Sequence, residues 1–462
     1  MNNAQMNKAT VLRLIDNRFH PPKAKTQEDQ ERVISSEIEQ LLKPYAGKSL
    51  NQWSSELGVI VFPDSSGGKV EMGSESDESV FFHLESDQER AWINTGNCMG
   101  VVKIRGKNSA DGYIQIEISS RFDQGNKMFF LNYLLNKVFN GSMAEPVSLG
   151  SDSFWDMLLA FVFRRRLLEA NAVGLFKQYQ TLEHNDARIR GRIDVNEHLR
   201  RNIPFCGKIA YSTREITFDN PTNHLIRHAL AKANREWPLI LSGYGLTNLR
   251  HDLEQNTPSW QPGDVVNCIR RKENRAPIKH PFFHVAYEPL RQVSLAILRD
   301  EGASLYQQNQ EAEGVIFDGA SLWEEYLWTI LRPHGFEHTE NTKKKGAWKP
   351  LEGVSFYPDF FHRKTRTILD AKYKSDGNRQ GDAQQVLGYM FQLNAVHGGL
   401  IKPDGIYEQP ELIQRVDSNA EPTKWHDFAL TPSRKATATE FCNEMRRKEN
   451  DLIDLLRSQS IV

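Results

Sequence analysis

The spacing of apolar and polar residues predicts both helices and strands in residues 1–150. TQEDQERVISSEIEQLLKPY has apolar residues at helical spacing from Val33 to Leu42. GVIVFP and GYIQIEIS have the pattern of strands, with isoleucines alternating with polar residues in the second. FFLNYLLNKVF then has a helical pattern. We therefore predict a mixed α/β domain at the N-terminus.

Residues 151–303 are predicted to be mainly helical. FWDMLLAFVFRRRLLEANAVGLF, LTNLRHDLEQ and PLRQVSLAILRDEG have the patterns of helices. TFDNPTNHLIRHALAKANREW contains a helix start signal, in which Asp219 can act as the N-cap and Pro221 lies in the first turn. This region is predicted to be a separate middle domain.

Residues 304–433 change to the order helix, strand, strand, helix, strand, which is typical of a compact α/β domain. The helix SLWEEYLWTILRPHG precedes a predicted hairpin, YPDFFHRKTRTILDAKYKS. The helix GDAQQVLGYMFQLNA and the strand GGLIKP follow, and residues 434–462 are predicted to be a closing helix. The chain as a whole is predicted to be an α+β multidomain protein divided at residues 150, 303 and 433.

Composition places the chain among globular proteins. With 462 residues it is long enough for several domains, and 39% hydrophobic with 25% charged residues gives no sign of general disorder. No apolar run approaches the roughly 18 residues of a membrane span. The N-terminus lacks the apolar segment of a signal peptide, so a cytoplasmic location is expected. Four widely spaced cysteines argue against disulfides and a cysteine-ligated zinc site.

The net charge of −1 hides an uneven distribution. Residues 1–100 carry 10 Lys and Arg against 15 Asp and Glu, whereas residues 160–235 carry 14 against 7. A basic segment can bind a polyanion such as DNA, although solvated surface charge would give the same pattern. The candidate DNA-binding residues are Arg188, Arg190, Arg192, Arg200 and Arg201.

The predicted hairpin carries two carboxylates and a lysine. Strand alternation places Asp370 and Lys372 on one face, and the turn brings Asp359 alongside Asp370. Two adjacent carboxylates repel unless a cation or a shared proton intervenes, and Mg²⁺ prefers such oxygen ligands. Lys372 could then orient or deprotonate a metal-bound water. A surface ion pair is the alternative, but the pattern favours metal-assisted phosphodiester hydrolysis.

Two neighbouring helices could add to this site. Glu324, on the preceding helix, could supply a third acid. Gln385 and Tyr389 lie four residues apart and hence on one face of the following helix, where they could contact a phosphate or the attacking water. Ordinary packing explains these two residues equally well.

Other chemistries find less support in the sequence. No GxSxG motif is present. AGKS at residues 46–49 is similar to the end of a phosphate-binding loop, but Leu42 replaces the first glycine and a helical pattern precedes it. We therefore predict that the chain does not bind its own nucleoside triphosphate. His334, His338 and His362 lack regular ligand spacing and are predicted to be surface residues.

The candidate residues resemble the PD-(D/E)xK nuclease superfamily in their order, which is Glu324, Pro358-Asp359, Asp370-Ala371-Lys372, then Gln385 and Tyr389. Two further blocks, GLFKQYQTLEHNDARIRGRIDVNEHLRRN and TFDNPTNHLIRHAL, resemble the signature of the McrC family. This family comprises the nuclease subunits of McrBC-type modification-dependent restriction systems. The resemblance covers roughly residues 150–435 and is specific because both blocks occur in the expected order.

The resemblance implies a Mg²⁺-dependent DNA endonuclease with a restriction-endonuclease-like core in residues 304–433. By this resemblance Asp359, Asp370 and Glu324 would hold the metal, and Lys372 would be the catalytic lysine. The implied partner is a ring of McrB-like AAA+ GTPase subunits, which usually recognises methylated double-stranded DNA. The N-terminal region would dock on that ring and stimulate GTP hydrolysis.

Two loops are candidates for this docking: the acidic segment from Ser65 to Ser79 and the turn from Lys107 to Gly112. If docking and cleavage reside in separate domains, removal of residues 1–150 should leave a folded nuclease. Two alternatives remain at this point. One is a stand-alone repair or recombination nuclease, and the other is a GTPase activator whose nuclease fold is idle.

Overall fold

The computed structural model describes fourteen ranges of the chain: residues 10–19, 21–22, 30–57, 59–62, 80–87, 90–105, 113–123, 128–139, 151–298, 312–339, 348–351, 354–374, 379–413 and 422–462. Both candidate docking loops lie outside these ranges. The chain forms two compact units, of which the first combines Met1–Leu158 with Asn309–Val462 and the second is Leu159–Gln308.

The N-terminal part of the first unit is mixed α/β, as predicted. Its elements are β1 (Thr10–Ile15), β2 (Val33–Ile34), α1 (Ser36–Leu42), α2 (Leu50–Ser55), β3 (Ile60–Phe62), β4 (Phe82–Ser86), β5 (Ala91–Thr95), β6 (Cys98–Arg105), β7 (Tyr113–Ser119) and α3 (Phe129–Val138). The helix predicted from Val33 starts later, because Val33 pairs with Trp92 of β5 and the Ser35 side chain caps α1.

The second unit contains a three-stranded sheet in addition to the predicted helices. Its elements are α4 (Ser151–Val173, which begins in the first unit), β8 (Gln178–Asp186), β9 (Arg192–Ile193), α5 (Val195–Arg201), β10 (Ile209–Thr217), α6 (Pro221–Glu236), α7 (Tyr244–Asn256), α8 (Val265–Arg270), α9 (Lys272–Arg275) and α10 (His284–Ile297). The strands are ordered β8-β10-β9. Asn220, not Asp219, caps α6, because its side chain accepts a hydrogen bond from the Asn223 amide.

The C-terminal part of the first unit contains the predicted helix, hairpin strands, helix and strand in that order, together with further strands before, between and after them. Its elements are β11 (Ala312–Asp318), α11 (Gly319–Leu331), β12 (Glu337–His338), β13 (Trp348–Leu351), β14 (Val354–Phe356), β15 (Phe360–His362), β16 (Thr367–Ala371), α12 (Arg379–Gln392), β17 (His397–Lys402), β18 (Glu411–Ile413), β19 (Thr423–Ala429) and α13 (Ala438–Ser458). Six of these strands form a sheet in the order β12-β15-β16-β17-β19-β18.

Strand β11 changes the predicted domain division. It lies within the five-stranded sheet β1-β7-β6-β11-β3, antiparallel to β6 and parallel to β3. The boundary predicted at residue 304 therefore does not separate two compact bodies, because a strand after that boundary completes the N-terminal sheet. Helix α13 also packs within the first unit, since its Glu449 accepts hydrogen bonds from Tyr133 of α3 and Tyr326 of α11.

Within the described ranges, no helix combines the length and apolar character needed to cross a membrane. Cys98, Cys268 and Cys442 are buried, and Cys206 is exposed.

Candidate active site

The hairpin of β15 and β16 brings Asp359 and Asp370 together, as the sequence predicts. Phe360 pairs with Leu369 across the hairpin. The Asp359 side chain accepts a hydrogen bond from the Ala371 amide at 2.8 Å, so its carboxylate is fixed at the end of β16. Asp370 is 1% exposed in the middle of the sheet. The local pairing therefore accounts for the meeting of the two carboxylates.

Lys372 lies directly beyond β16 and points at the same cluster. Its Nζ is 2.6 Å from Oδ2 of Asp370 and donates to Oε1 of Gln385 at 3.2 Å. The Gln385 amide nitrogen in turn donates to the Tyr389 hydroxyl at 3.1 Å. Gln385 thus contacts the lysine directly, and Tyr389 is linked to it through Gln385, because the two residues lie on one face of α12.

Glu324, on α11, shares the electrostatic environment of the two aspartates. Burial raises the pKa of its carboxyl to about 8, and the negative charges of Glu325 and Asp370 add to the effect. Burial, together with the charges of Asp370 and Glu324, raises the pKa of Asp359 well above its usual range. The structure therefore places all three predicted acids in one electrostatic environment, where the charge of Asp370 disfavours ionisation of both Glu324 and Asp359.

The charges of Asp370 and Lys372 are coupled. Burial raises the pKa of Asp370 above its usual range, although Lys372 opposes this effect. Burial lowers the pKa of Lys372, but the attraction of Asp370 outweighs it, so the pKa is raised overall. Lys372 is therefore an ammonium ion at neutral pH.

Asp370 has capacity for a further ligand. Both of its carboxylate oxygens are buried and lack a geometrically regular hydrogen bond from any described residue, while the Lys372 ammonium forms an ion pair with Oδ2 at 2.6 Å. Oxygen atoms of this kind suit a hard divalent cation. Among the described residues, however, no three His, Cys, Asp or Glu side chains already form a metal-binding group.

His338 belongs to the site although the sequence predicted a surface residue. Its side chain is only 7% exposed; its Nδ1 donates to the backbone carbonyl of Asp359 at 2.8 Å, and its Nε2 is 3.6 Å from Glu324. His362 is also buried, at 7% exposure. No sequence signal marks His338, because β12 contains only two residues and its place is fixed by pairing with β15.

Asp382 is a second residue that sequence reasoning missed. It lies in the first turn of α12, where its carboxylate is 2.9 Å from the Lys374 ammonium and 3.9 Å from that of Lys372. The alternation of the DAKYK segment places both lysines on one side, and this is the signal that could have suggested an acidic partner on the next helix.

The five candidate arginines all lie on the surface of the second unit. Arg200 forms an ion pair with Glu197 at 2.8 Å, Arg201 contacts the same carboxylate, and Arg190 is 3.9 Å from Asp186. Arg188 and Arg192 form no ion pair with any described residue. All five arginines are thus exposed, but acidic neighbours partly neutralise the charges of Arg190, Arg200 and Arg201.

The AGKS segment joins two helices, as the helical pattern before it predicted. Ser49 forms a capping box with Gln52 at the start of α2, and the Lys48 ammonium is 2.5 Å from Glu56. A phosphate-binding loop instead follows a strand. The described geometry of this segment is therefore that of a helix cap.

The fold and this cluster define a two-unit α+β protein that carries three acids and a lysine on a mixed sheet and its preceding helix. The family model for the McrBC 5-methylcytosine restriction system component matches residues 93–403. The chain belongs to this family, which confirms the membership predicted from the motif blocks, and it is a component of a McrBC-type restriction system. A comparison with curated proteins found no match.

Two solved structures from Thermococcus gammatolerans are similar to the chain. The first is a refined half-complex from a tetradecameric assembly of McrB AAA+ hexamers with bound McrC, at 13% identity and a TM-score of 0.46, covering 96% of this chain and 100% of that one. The second is the McrBC complex, at 11% identity and a TM-score of 0.30, covering 70% of this chain and 87% of that one.

The raised pKa of Glu324 predicts a pH-dependent effect of Glu324→Gln in the absence of metal. The pKa of the parent carboxyl is 4.5 in the unfolded chain and about 8 in the folded protein, so the parent loses stability as the pH rises through this window. Glutamine does not titrate. Because the Glu324 side chain is 30% exposed, solvent screens the effect. We expect the free energy of unfolding of the variant, relative to that of the parent, to increase by about 1 to 2 kcal/mol as the pH rises from 5 to 9.

Urea unfolding in EDTA at both pH values measures this gain. Asp451→Asn removes an exposed carboxylate from α13 and serves as the control. If Glu324→Gln differed from the parent by the same amount at pH 5 and pH 9, Glu324 would not titrate as described.

Proposed function

We propose that this chain is the Mg²⁺-dependent DNA endonuclease subunit of its restriction system, acting in defence against phage. In this proposal the six-stranded sheet with α11 and α12 is a PD-(D/E)xK core. The observation that carries it is the meeting of Glu324, Asp359 and Asp370 beside Lys372. Family membership supports the restriction role.

Asp359, Asp370 and Glu324 would hold the Mg²⁺ ion. The buried Asp370 oxygens, which lack hydrogen-bond partners among the described residues, support this assignment, as do the pKa values of Asp359 and Glu324, which burial raises most and the negative charge of Asp370 raises further. A bound cation would offset this negative charge. When bound, Mg²⁺ supplies a more acidic water and positive charge near the scissile phosphate.

Lys372 would act as a cation rather than as the first proton acceptor. Its raised pKa keeps the ammonium protonated, and this charge stabilises the negative charge that develops on the phosphate. Gln385 would hold the ammonium through its Oε1. Burial raises the pKa of Tyr389, so its hydroxyl stays protonated and can donate a hydrogen bond to phosphate or water.

The partner in this proposal is an AAA+ GTPase of the McrB type, which this chain would stimulate on double-stranded, modified DNA. The family supports a two-component system. The helix-cap geometry of the AGKS segment is consistent with GTP binding residing in the partner.

Arg188 and Arg192 would make the stronger contribution to DNA binding among the five arginines. We expect Arg188→Ala with Arg192→Ala to weaken association with all DNA sequences and to lower the slope of log affinity against log salt by about 2, since each phosphate contact releases counterions. Arg200→Ala with Arg201→Ala is the matched control, and its effect should be smaller because Glu197 already neutralises part of that charge. Fluorescence anisotropy across a salt series measures both. If the Arg188→Ala, Arg192→Ala variant kept the parental slope of log affinity against log salt, these two arginines would not contact DNA phosphates.

The test of the proposed function is cleavage of methylated and unmodified DNA by the purified chain with its AAA+ partner, GTP and Mg²⁺. Cleavage should require all components, stop with EDTA and resume with excess Mg²⁺. Cleavage by the chain alone without nucleotide would favour a stand-alone repair or recombination nuclease. GTPase stimulation without cleavage under any metal condition would favour the activator with an idle nuclease fold.

A further inference from the structure

Two residues that directly follow β7 contact the chain immediately beyond Lys372. The Ser120 hydroxyl is hydrogen-bonded to the Tyr373 hydroxyl at 2.6 Å. The Arg121 guanidinium donates through Nη2 to the Tyr373 backbone carbonyl at 2.5 Å. Ser120 is 0% and Tyr373 4% exposed. Because both residues are buried, water does not compete for these hydrogen bonds. They connect the N-terminal sheet to the residue after the proposed catalytic lysine.

The Arg121 side chain is restrained on several sides. Its Nη1 donates to Oδ1 of Asn97 at 2.8 Å and lies 3.5 Å from the Asp16 carboxylate. Its guanidinium stacks over the rings of Tyr373 at 4.8 Å and Phe122 at 5.1 Å. The backbone amide of Arg121 also donates to Asp16, at 2.6 Å. Hydrogen bonds, an ion pair and ring contacts therefore restrain the guanidinium on several sides.

Asn97 and Tyr373, which both contact Arg121, also lie against the start of the helix that carries Glu324. The Gly319 amide donates to the Asn97 carbonyl at 2.8 Å. A Cβ at Gly319 would lie 2.7 Å from that carbonyl oxygen and 2.8 Å from the Tyr373 ring, so only glycine allows this approach. Asn97 thus touches both Arg121 and the first residue of α11. Helix α11, which carries Glu324, and the segment after β16, which carries Lys372, therefore both contact the group of Asn97, Arg121 and Tyr373.

Packing alone is a weak explanation for an arginine whose side chain is only 9% exposed. A buried ion pair costs desolvation energy that apolar residues would avoid, so it is poor evidence for a purely stabilising role. Burial raises the pKa of Asp16 to about 6 even with Arg121 beside it, which indicates how unfavourable the location is for charge. What an apolar side chain could not provide is directed hydrogen bonding to one carbonyl group.

We propose that Arg121 is a positioning residue for the nuclease site, and this inference rests on the proposed function. By fixing the Tyr373 carbonyl and ring, it holds Lys372 at its distances of 2.6 Å from Asp370 and 3.2 Å from Gln385. Lys372 lies beyond the last residue of β16, where its amide makes one hydrogen bond to the Ile401 carbonyl. Arg121 restrains the next residue and so completes the support.

The first measurement is the reactivity of the Lys372 amine, which does not depend on catalysis. The Lys372 side chain is 19% exposed in the parent. In full-length Arg121→Ala, acetylation by acetic anhydride, read by mass spectrometry, should become several-fold faster at Lys372. It should stay unchanged at Lys364, an exposed lysine in the same hairpin.

The second measurement is cleavage by the complete system at saturating DNA. Misplacement of a catalytic group by about 1 Å lowers the rate about 100-fold, so kcat should fall by this order in Arg121→Ala while the KM for DNA stays unchanged. Arg121→Lys keeps the charge but lacks the planar fork, and it should recover only part of the rate. Arg13→Ala removes an arginine from β1, the strand that pairs with β7. Arg13 forms an ion pair with Glu117, and its removal should leave both measurements unchanged.

The outcomes separate the two proposals. Parental acetylation and parental cleavage in folded Arg121→Ala would overturn the positioning role. Equal losses in Arg121→Ala and Arg13→Ala would also overturn it, because general weakening of the sheet would explain them. If Arg121→Ala did not fold, Arg121→Lys would provide the same two measurements. Parental cleavage by Lys372→Ala would instead refute the proposed function, while acetylation would still test the placement of Lys372.

Discussion

Asp370→Asn should lower the rate of DNA cleavage by the complete system about 1,000-fold, which corresponds to a loss of about 4 kcal/mol of transition-state stabilisation. The physical reason is that asparagine keeps the shape of the side chain but removes a buried charge from the proposed Mg²⁺ site. GTPase stimulation of the partner should stay near the parental level, because the change lies inside the sheet and alters no surface.

Cleavage and GTP turnover measured on the same preparations test this expectation. Asp404→Asn, which removes an exposed carboxylate in the same unit, is the control and should cleave like the parent. Calorimetry adds a direct reading of the metal: unchanged Mg²⁺ affinity in both Asp359→Asn and Asp370→Asn would refute the ligand assignment. Loss of GTPase stimulation together with cleavage in folded Asp370→Asn would mean that the site and the partner surface are not separable.

A fragment containing only residues 304–462 should fail to fold. In such a fragment β11 loses both of its neighbours, β6 and β3. On α11, Trp323 and Tyr326, both 0% exposed, would lose their ring contacts with Phe130 and Tyr133. Exposing a few large apolar side chains costs about 1.5 to 3 kcal/mol each. This approaches the whole stability of a typical domain, about 5 to 15 kcal/mol.

Circular dichroism and thermal unfolding of the purified fragment measure this outcome. The matched control is co-expression of residues 1–158 with residues 309–462, which together make up the first unit and should copurify with a cooperative transition. A cooperative transition with native near-ultraviolet signal in the fragment alone would contradict the prediction. The expectation from the sequence, that a nuclease remains folded without residues 1–150, is revised for the same reason.

The sequence by itself determined the parts of the candidate site that depend on local geometry. Asp359 and Asp370 meet because a short turn joins two strands, and strand alternation turns Asp370 and Lys372 to one side. Gln385 and Tyr389 meet because residues four apart share a helix face. Each of these relations spans few residues, so periodicity was sufficient to predict it. The motif blocks likewise identified the family, which the match over residues 93–403 confirms.

Only the tertiary structure decided the contacts between distant parts of the chain. β11 pairs with β6, where Val315 lies opposite Val101, and Arg121 reaches Tyr373, 252 positions away. A hydrophobic pattern states that a strand is buried but not which strand lies beside it. The two-residue strand that carries His338 has no pattern at all. The electrostatics follow the same division, because burial, the largest cause of the raised pKa values of Asp359 and Glu324, comes only with the assembled fold.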